Sequence, residues 1–242
     1  MRSWPSRWIP VPALFDAHCH LQTLPPGEAA SALGRAREAG VTRVACCATG
    51  EEDWEAVLAL ARAHREVVPL LGVHPWKAAE ARPGWEERLE ALLLDHRAGV
   101  GECGLDFARR GVDRERQLDA LRRQLRMAAR LHRPVVLHCV RAWGALTGVL
   151  QQEGVPPAGA MLHAFNGSLE TARALQALGL YLSFRTPGPG LAAVRSDRLL
   201  LESDGPEPAQ VAALWAEASS AGTEAADLSP RNAERLFGGL LS

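Results

Sequence analysis

"FDAHCHL" (Phe15–Leu21) places an aspartate and two histidines, two residues apart, inside an apolar segment. In an extended strand, residues i and i+2 share a face. Asp16, His18 and His20 then line one side, and Phe15, Ala17, Cys19 and Leu21 the other. Two imidazoles converging from one strand suit a metal ion. A buried, hydrogen-bonded pair of histidines would read the same from seven residues alone. The rest of the chain decides, through how many other strands end in such residues.

Short apolar runs alternate with longer amphipathic ones along the chain. The strand candidates are "ALFDAHCH", "RVACCAT", "EVVPLLGVH", "VGECGLD", "PVVLHCV", "AMLHAFN", "LYLSF" and "RLLLESD". Between most of them lie helical patterns: Glu28 to Ala39, Glu51 to His64, Trp85 to His96, Arg114 to His132, Arg141 to Gln152 and Leu169 to Leu178. In the stretch 114–132, Leu118, Leu121, Leu125, Ala128, Ala129 and His132 recur at helical spacing, with arginines opposite. Alternating strand and helix predicts a parallel sheet with right-handed crossovers. Eight such units in 242 residues predict an α/β fold, a (β/α)8 TIM-like barrel, with a doubly wound open sheet as the rival.

The barrel makes a test possible, because its functional residues gather at the C-terminal strand ends. His18 and His20 end the first strand, His74 the third, and Glu102 lies near the end of the fourth. His138 ends the fifth, His163 lies in the sixth, and Asp204 closes the eighth. Burying so many ionisable groups unpaired would cost several kcal/mol each. A metal reverses that cost. His18, His20, His138, His163, Glu102 and Asp204 make six donors, whereas one tetrahedral zinc takes four at most. Two divalent ions with Glu102 bridging fit better. Nitrogen and oxygen donors without thiolate favour Zn, Mn, Fe, Co or Ni. Cys19, Cys103 and Cys139 adjoin these residues, but strand alternation turns them outward, as packing.

Composition excludes some classes. The net charge of -1 gives no global basic field for nucleic acid or membrane. Five cysteines without a CxxC pair suit a reduced, cytoplasmic protein better than a disulfide framework. No apolar run approaches the roughly 20 residues of a membrane span, and "MRSWPSRWIPVPA" lacks a signal peptide's apolar core.

Together "FDAHCHL", "GVHPW", "GECGLDF", "RPVVLHC", "LHAFNGSLE", "LLLESDGP" and "RNAERLF" resemble the TatD family of metal-dependent hydrolases, from about Leu14 to the C-terminus. The resemblance implies a distorted barrel over 14–242, with residues 1–13 as an extension the family generally lacks. It implies a two-metal phosphodiesterase, commonly a deoxyribonuclease. His18, His20 and Asp204 would serve the first metal, His138 and His163 the second, and Glu102 both; His74 would lie near the substrate phosphate. Asp204 would orient the attacking water and accept its proton. Asp16, Asp106 and Glu202 are candidates for fixing imidazole tautomers, although Asp106 equally suits a cap on the segment after it. The substrate is then DNA or a small phosphodiester. An ester, lactone or aminoacyl bond is the alternative, since the same activated water attacks carbonyl carbon, and a metal-binding protein without activity is a third reading.

Three departures from the family lie on the substrate side. Where it writes "SRDA" after the strand-five histidine, this chain has "CVRA", moving the arginine one place to Arg141. An "NEP"-like motif after strand eight is missing. The stretch "RTPGPGLAAVRSDR" (Arg185–Arg198) is all that joins strands seven and eight, and its prolines and glycines predict a vestigial seventh helix. A more open face, with weak grip on long DNA, is the expected consequence.

Overall fold

The computed structural model describes residues 13–241 apart from 110, 112, 187–190, 192–193 and 221–223. Its eight strands are β1 (Leu14–Cys19), β2 (Val41–Cys47), β3 (Val67–Leu71), β4 (Gly99–Asp106), β5 (Val135–Val140), β6 (Ala160–Leu162), β7 (Tyr181–Phe184) and β8 (Leu199–Leu201). They pair in parallel in sequence order, β1 to β8. That order is the barrel's; a doubly wound sheet would break it where the winding reverses. The predicted helices form as α1 (Glu28–Glu38), α2 (Trp54–Ala63), α3 (Trp85–Asp95), α4 (Arg114–Arg130), α5 (Trp143–Glu153) and α6 (Leu169–Ala177). Two more, α7 (Gln210–Ser220) and α8 (Glu224–Phe237), follow the last strand. The proposed extension, residue 13 apart, and residues 187–190 and 192–193 of the segment predicted to hold a vestigial helix lie outside the described residues. What is described of that crossover includes a 3-10 turn at Ser196–Arg198.

The barrel is distorted at its seam. No strand ladder joins β8 to β1 among the described residues. The two are clasped beyond β8, where the Asp204 N–H donates to His18 O and the His20 N–H to Gly205 O, both at 2.9 Å. The Asp16 carboxylate completes the clasp, accepting from the Ser203 N–H at 2.9 Å and the Ser203 hydroxyl at 2.6 Å. The seam is thus held at the level of the candidate site.

Two apolar layers pack the fold. Phe15, Ala17, Val68, Leu70, Val136, Met161 and Leu200 fill the barrel interior, and Leu236, Phe237 and Leu240 from the C-terminal segment pack onto them. The rings of Phe15 and Phe237 stack with centroids 5.6 Å apart. Leu14, Cys19, Leu21, Cys103 and Cys139 belong to the second layer, between strands and helices. The three cysteines therefore point outward, as alternation predicts.

β1 departs from that alternation. Its register against β2 slips between Asp16 and Cys19. Phe15 and Ala17 face the interior, yet so does His18. The expected shared face for Asp16, His18 and His20 does not form: Asp16 turns to the seam. In α4 the buried face also differs from the predicted stripe. It carries Gln117 and Gln124 beside Leu121, Leu125 and Ala128. The helix stops at Arg130, and His132 lies beyond it, exposed, at φ 51°.

Candidate metal centre

Each polar residue at a strand end meets the others in one place. His18 Nε2 lies 3.1 Å from His20 Nε2, and both lie 3.5 Å from Glu102 Oε2. Asp204 Oδ1 is 3.5 Å from His18 Nε2 and 3.7 Å from His20 Nε2. On the other side, Glu102 Oε1 is 2.7 Å from both His138 Nδ1 and His163 Nε2, and 3.3 Å from His74 Nε2. His138 Nδ1 and His163 Nε2 are 2.9 Å apart. The two oxygens of one carboxylate thus face two separate groups of histidines.

The fold aims these side chains through local constraints. The Cys47 carbonyl accepts a hydrogen bond from His20 Nδ1 at 2.9 Å, which turns Nε2 toward the centre. Gly104 lets β4 and β5 come together at His138. A Cβ there would stand 2.0 Å from His138 O, so a side chain would push the strands apart. Asp204 and Ala164 sit at φ 51° and 46°, a left-handed conformation that L-residues hold at a cost of about 1–3 kcal/mol and that clusters at functional sites. Ala164 is held by its N–H donating to Glu202 Oε1 at 2.7 Å, and the Ser183 hydroxyl donates to the other Glu202 oxygen. Glu202 Oε1 also lies 3.5 Å from His163 Nδ1.

Asp106 forms the cap and faces an imidazole without hydrogen-bonding it. One oxygen caps the turn after β4, accepting from the Ala108 N–H at 2.9 Å and the Arg109 N–H at 3.3 Å. The other accepts from the Trp76 indole N–H at 2.7 Å and stands 3.6 Å from His138 Nε2. Asp16 reaches no imidazole ring; it accepts from the His18 backbone N–H at 3.2 Å and holds Ser203. Sequence reading missed the two buried glutamines of α4. Gln117 accepts from the Asp106 N–H at 2.8 Å and donates to Asp106 O at 3.0 Å. Gln124 grips Val73 in the same way, at 2.8 and 3.1 Å. Both brace backbone beside a site residue. A polar residue interrupting the apolar stripe of a helix was the available signal.

Burial penalises every charge here, and the neighbours decide the outcome. Burial opposes charge on Glu102, but His163, His74 and His138 hold it well below the usual carboxylate range. His20 rises to about 9 despite its burial, because Glu102 faces it. His163 is likewise raised, against burial, by Glu102 and Glu202. Asp204 falls to about 2, where His18 and His163 outweigh burial. Burial and the neighbouring His163 lower His18, and burial lowers His74. Burial, helped by the nearby Glu202 charge, carries Asp16 up to about 8 against the donors of Ser203 and His18. Without a metal, protons on His20 and His163 balance the carboxylates.

This donor set fits divalent cations. Ring nitrogens approach each other to 2.9–3.1 Å in pairs, a spacing that needs a proton or a cation between the lone pairs. Four groups of three donors, drawn from His18, His20, His74, Glu102, His138, His163, Glu202 and Asp204, lie close enough to share an ion. Among the described residues, the buried ring atoms His18 Nδ1, His138 Nε2 and His163 Nδ1 have no hydrogen-bond partner. The centre opens into a cavity of about 320 Å³ whose wall includes Thr49, Trp76, Lys77 and Arg109. Arg141 is exposed, at φ 51°, and does not line it. Among the described residues no helix is long and apolar enough to cross a membrane.

Known proteins share this sequence and shape. Residues 15–233 match the family described as TatD related DNase. The 3'-5' ssDNA/RNA exonuclease TatD of Cronobacter sakazakii is 37% identical over 185 residues, 72% of this chain and 70% of that protein. The uncharacterized metal-dependent hydrolase YjjV of Escherichia coli K12 is 33% identical over 207 residues, 80% of this chain and 79% of its own. The crystal structure of YjjV, a TatD homologue, superimposes with a TM-score of 0.86 at 30% identity, covering 93% of this chain and 98% of that one.

Proposed function

This chain belongs to the TatD family of metal-dependent hydrolases, and from that premise we propose that it is a two-metal phosphodiesterase that trims single-stranded nucleic acid from an end. The observation that carries the reading is Glu102, whose two oxygens divide between His18 with His20 and His138 with His163. We assign Glu102 as the bridge, His18, His20 and Asp204 as holders of one ion, and His138 and His163 as holders of the other. Zn, Mn, Fe, Co or Ni suits the nitrogen and oxygen donors. Bound there, the ions would lower the pKa of a water toward about 7 and neutralise charge on the phosphoryl oxygens.

The chain's own groups do the rest. Asp204, at the rim of the cavity, orients the attacking water and accepts its proton. Arg185 Nη1, 3.0 Å from Asp204 Oδ2, keeps Oδ1 turned toward the histidines. His74 faces the incoming phosphate, its Nδ1 accepting from the Trp76 backbone N–H at 3.1 Å and its Nε2 left for the centre. Glu202 and Asp106 stand 3.5 and 3.6 Å from the far nitrogens of His163 and His138. The cavity of about 320 Å³ has the size of a small-molecule pocket. That suits one terminal nucleotide better than a continuous length of strand, and agrees with relatives named as exonucleases. Residues 14–242 form the catalytic unit in this reading. Five free, buried cysteines support a cytoplasmic, reducing setting.

The deciding assay uses protein reloaded with each metal in turn. End-labelled single-stranded DNA and RNA, p-nitrophenyl acetate and a simple lactone are offered in parallel. Stepwise shortening of the strand is the expected result. Turnover of the carboxyl ester or lactone with intact nucleic acid would replace this reading with a carboxyl-ester hydrolase.

A further inference from the structure

The displacement of the family's arginine to Arg141 raises a question the geometry can answer: which cation meets the substrate's phosphate. Arg141 does not line the cavity. Lys77 does, but its ammonium is occupied by Glu52 at 2.9 Å and Glu80 at 3.6 Å. Arg185 is occupied by Asp204. Arg109 remains. Its side chain lines the cavity beside His74 and His138, and among the described residues no carboxylate pairs with its guanidinium.

Arg109 is also held in place. Its guanidinium carbon lies 4.7 Å from the centroid of the Trp76 ring, in the range where a cation is attracted by an aromatic face. Trp76 is 44% exposed, unusual for so large an apolar group, and its ring stands edge-to-face on His74 with centroids 4.7 Å apart. Its indole N–H is anchored on Asp106 Oδ2. The other Asp106 oxygen accepts from the Arg109 backbone N–H. One carboxylate therefore fixes both the perch and the residue on it.

We propose that Arg109, perched on Trp76, is the substrate-binding arm of the cavity, and that its guanidinium takes a phosphate oxygen of the substrate beside the metal centre. Guanidinium suits this task, because its planar fork matches two phosphate oxygens and its charge persists at any physiological pH. An arm stacked on an aromatic ring loses little conformational freedom when the anion arrives. Trp76 is the positioning residue. The inference rests on the phosphodiesterase reading for its substrate, and on the cavity alone for its anion.

The test compares Arg109→Gln, Trp76→Leu, Trp76→Phe and the Arg109→Gln/Trp76→Leu pair in the metal-loaded enzyme, with a short oligothymidylate as substrate. Arg109→Gln is expected to raise KM about tenfold, with kcat within about threefold, as for a lost charge-assisted contact. Trp76→Leu is expected to raise KM to a similar extent, and the double variant no further, because both changes remove the same arm. Trp76→Phe restores most of the KM, since the ring survives; both Trp76 variants lose the bond to Asp106, so their difference isolates the perch. An unchanged KM in Arg109→Gln, or fully additive losses in the double variant, overturns the proposal. If the enzyme cleaves no phosphodiester, calorimetric titration with inorganic phosphate decides separately. Binding about tenfold weaker in Arg109→Gln supports the arm, and equal binding overturns it.

Discussion

The two ends of the barrel are built by the same eight strands and have opposite chemistry. At the N-terminal end, Phe15, Leu236, Phe237 and Leu240 close the interior with apolar side chains and no hydrogen-bonding demand. At the C-terminal end, His18, Glu102, His138 and His163 are buried just as deeply, with carboxylate and imidazole atoms 2.7–3.5 Å apart. The apolar end stabilises by removing surface from water, and any shape that fills it serves. The polar end stabilises only if each charge finds its partner, so its geometry is far more restrictive. One end carries the fold, and the other uses the rigidity that the first supplies.

Substitutions at each end sharpen that division. Glu102→Gln keeps the shape but removes the charge shared by both histidine groups. Hydrolysis is expected to fall about 10⁴-fold or more, equivalent to about 5 kcal/mol of barrier. Circular dichroism should be unchanged and metal content reduced. Turnover near wild type with full metal content would remove Glu102 from the bridging position. At the other end, Phe237→Ala empties a fully buried ring site against Phe15. A loss of about 3–5 kcal/mol in denaturant unfolding is expected, with KM of the folded enzyme unchanged. A large change in KM instead would show that the two ends are mechanically coupled.

Asp16 lies between them, and its effect should be intermediate. Asp16→Ala leaves the Ser203 N–H, the Ser203 hydroxyl and the His18 N–H without their acceptor. About 1–3 kcal/mol of stability is expected to be lost. Because the seam also carries Asp204, metal affinity should fall with it. Stability lost at unchanged metal affinity would place Asp16 with the fold alone.

The smallest effect is a matter of protons. His20 is raised to about 9 in the metal-free protein, so it is protonated at pH 7. Its contribution to the metal-free fold is fully present below the ordinary histidine value near about 6.5, and is lost as pH rises through 9. Metal binding must displace this proton. Calorimetric titration with Zn or Mn at pH 7, in buffers of differing ionisation enthalpy, should therefore show proton release, and affinity should rise with pH up to about 9. Uptake without release would mean that the site is already deprotonated.

Much of this molecule follows from sequence alone. The alternation of eight apolar runs with amphipathic ones sets a parallel barrel, because each strand buries both faces and each helix only one. The clustering of His18, His20, Glu102, His138, His163 and Asp204 was legible for a related reason. Ionisable groups at the ends of buried strands are too costly to keep unless they meet, and the fold brings those ends together. Tertiary structure alone decided how they meet. His138 turns its Nδ1 inward while His18, His20 and His163 turn Nε2. That choice depends on partners such as Cys47 O and Asp106, supplied by other strands. The slip in β1, which sends Asp16 to the seam, arises from pairing with β2 and has no local signature. Arg109 on Trp76, and Gln117 and Gln124 behind the strand ends, read in sequence as an exposed arginine and two polar helix residues. Periodicity reports which face a residue presents; which atoms touch between elements is settled only when the barrel closes.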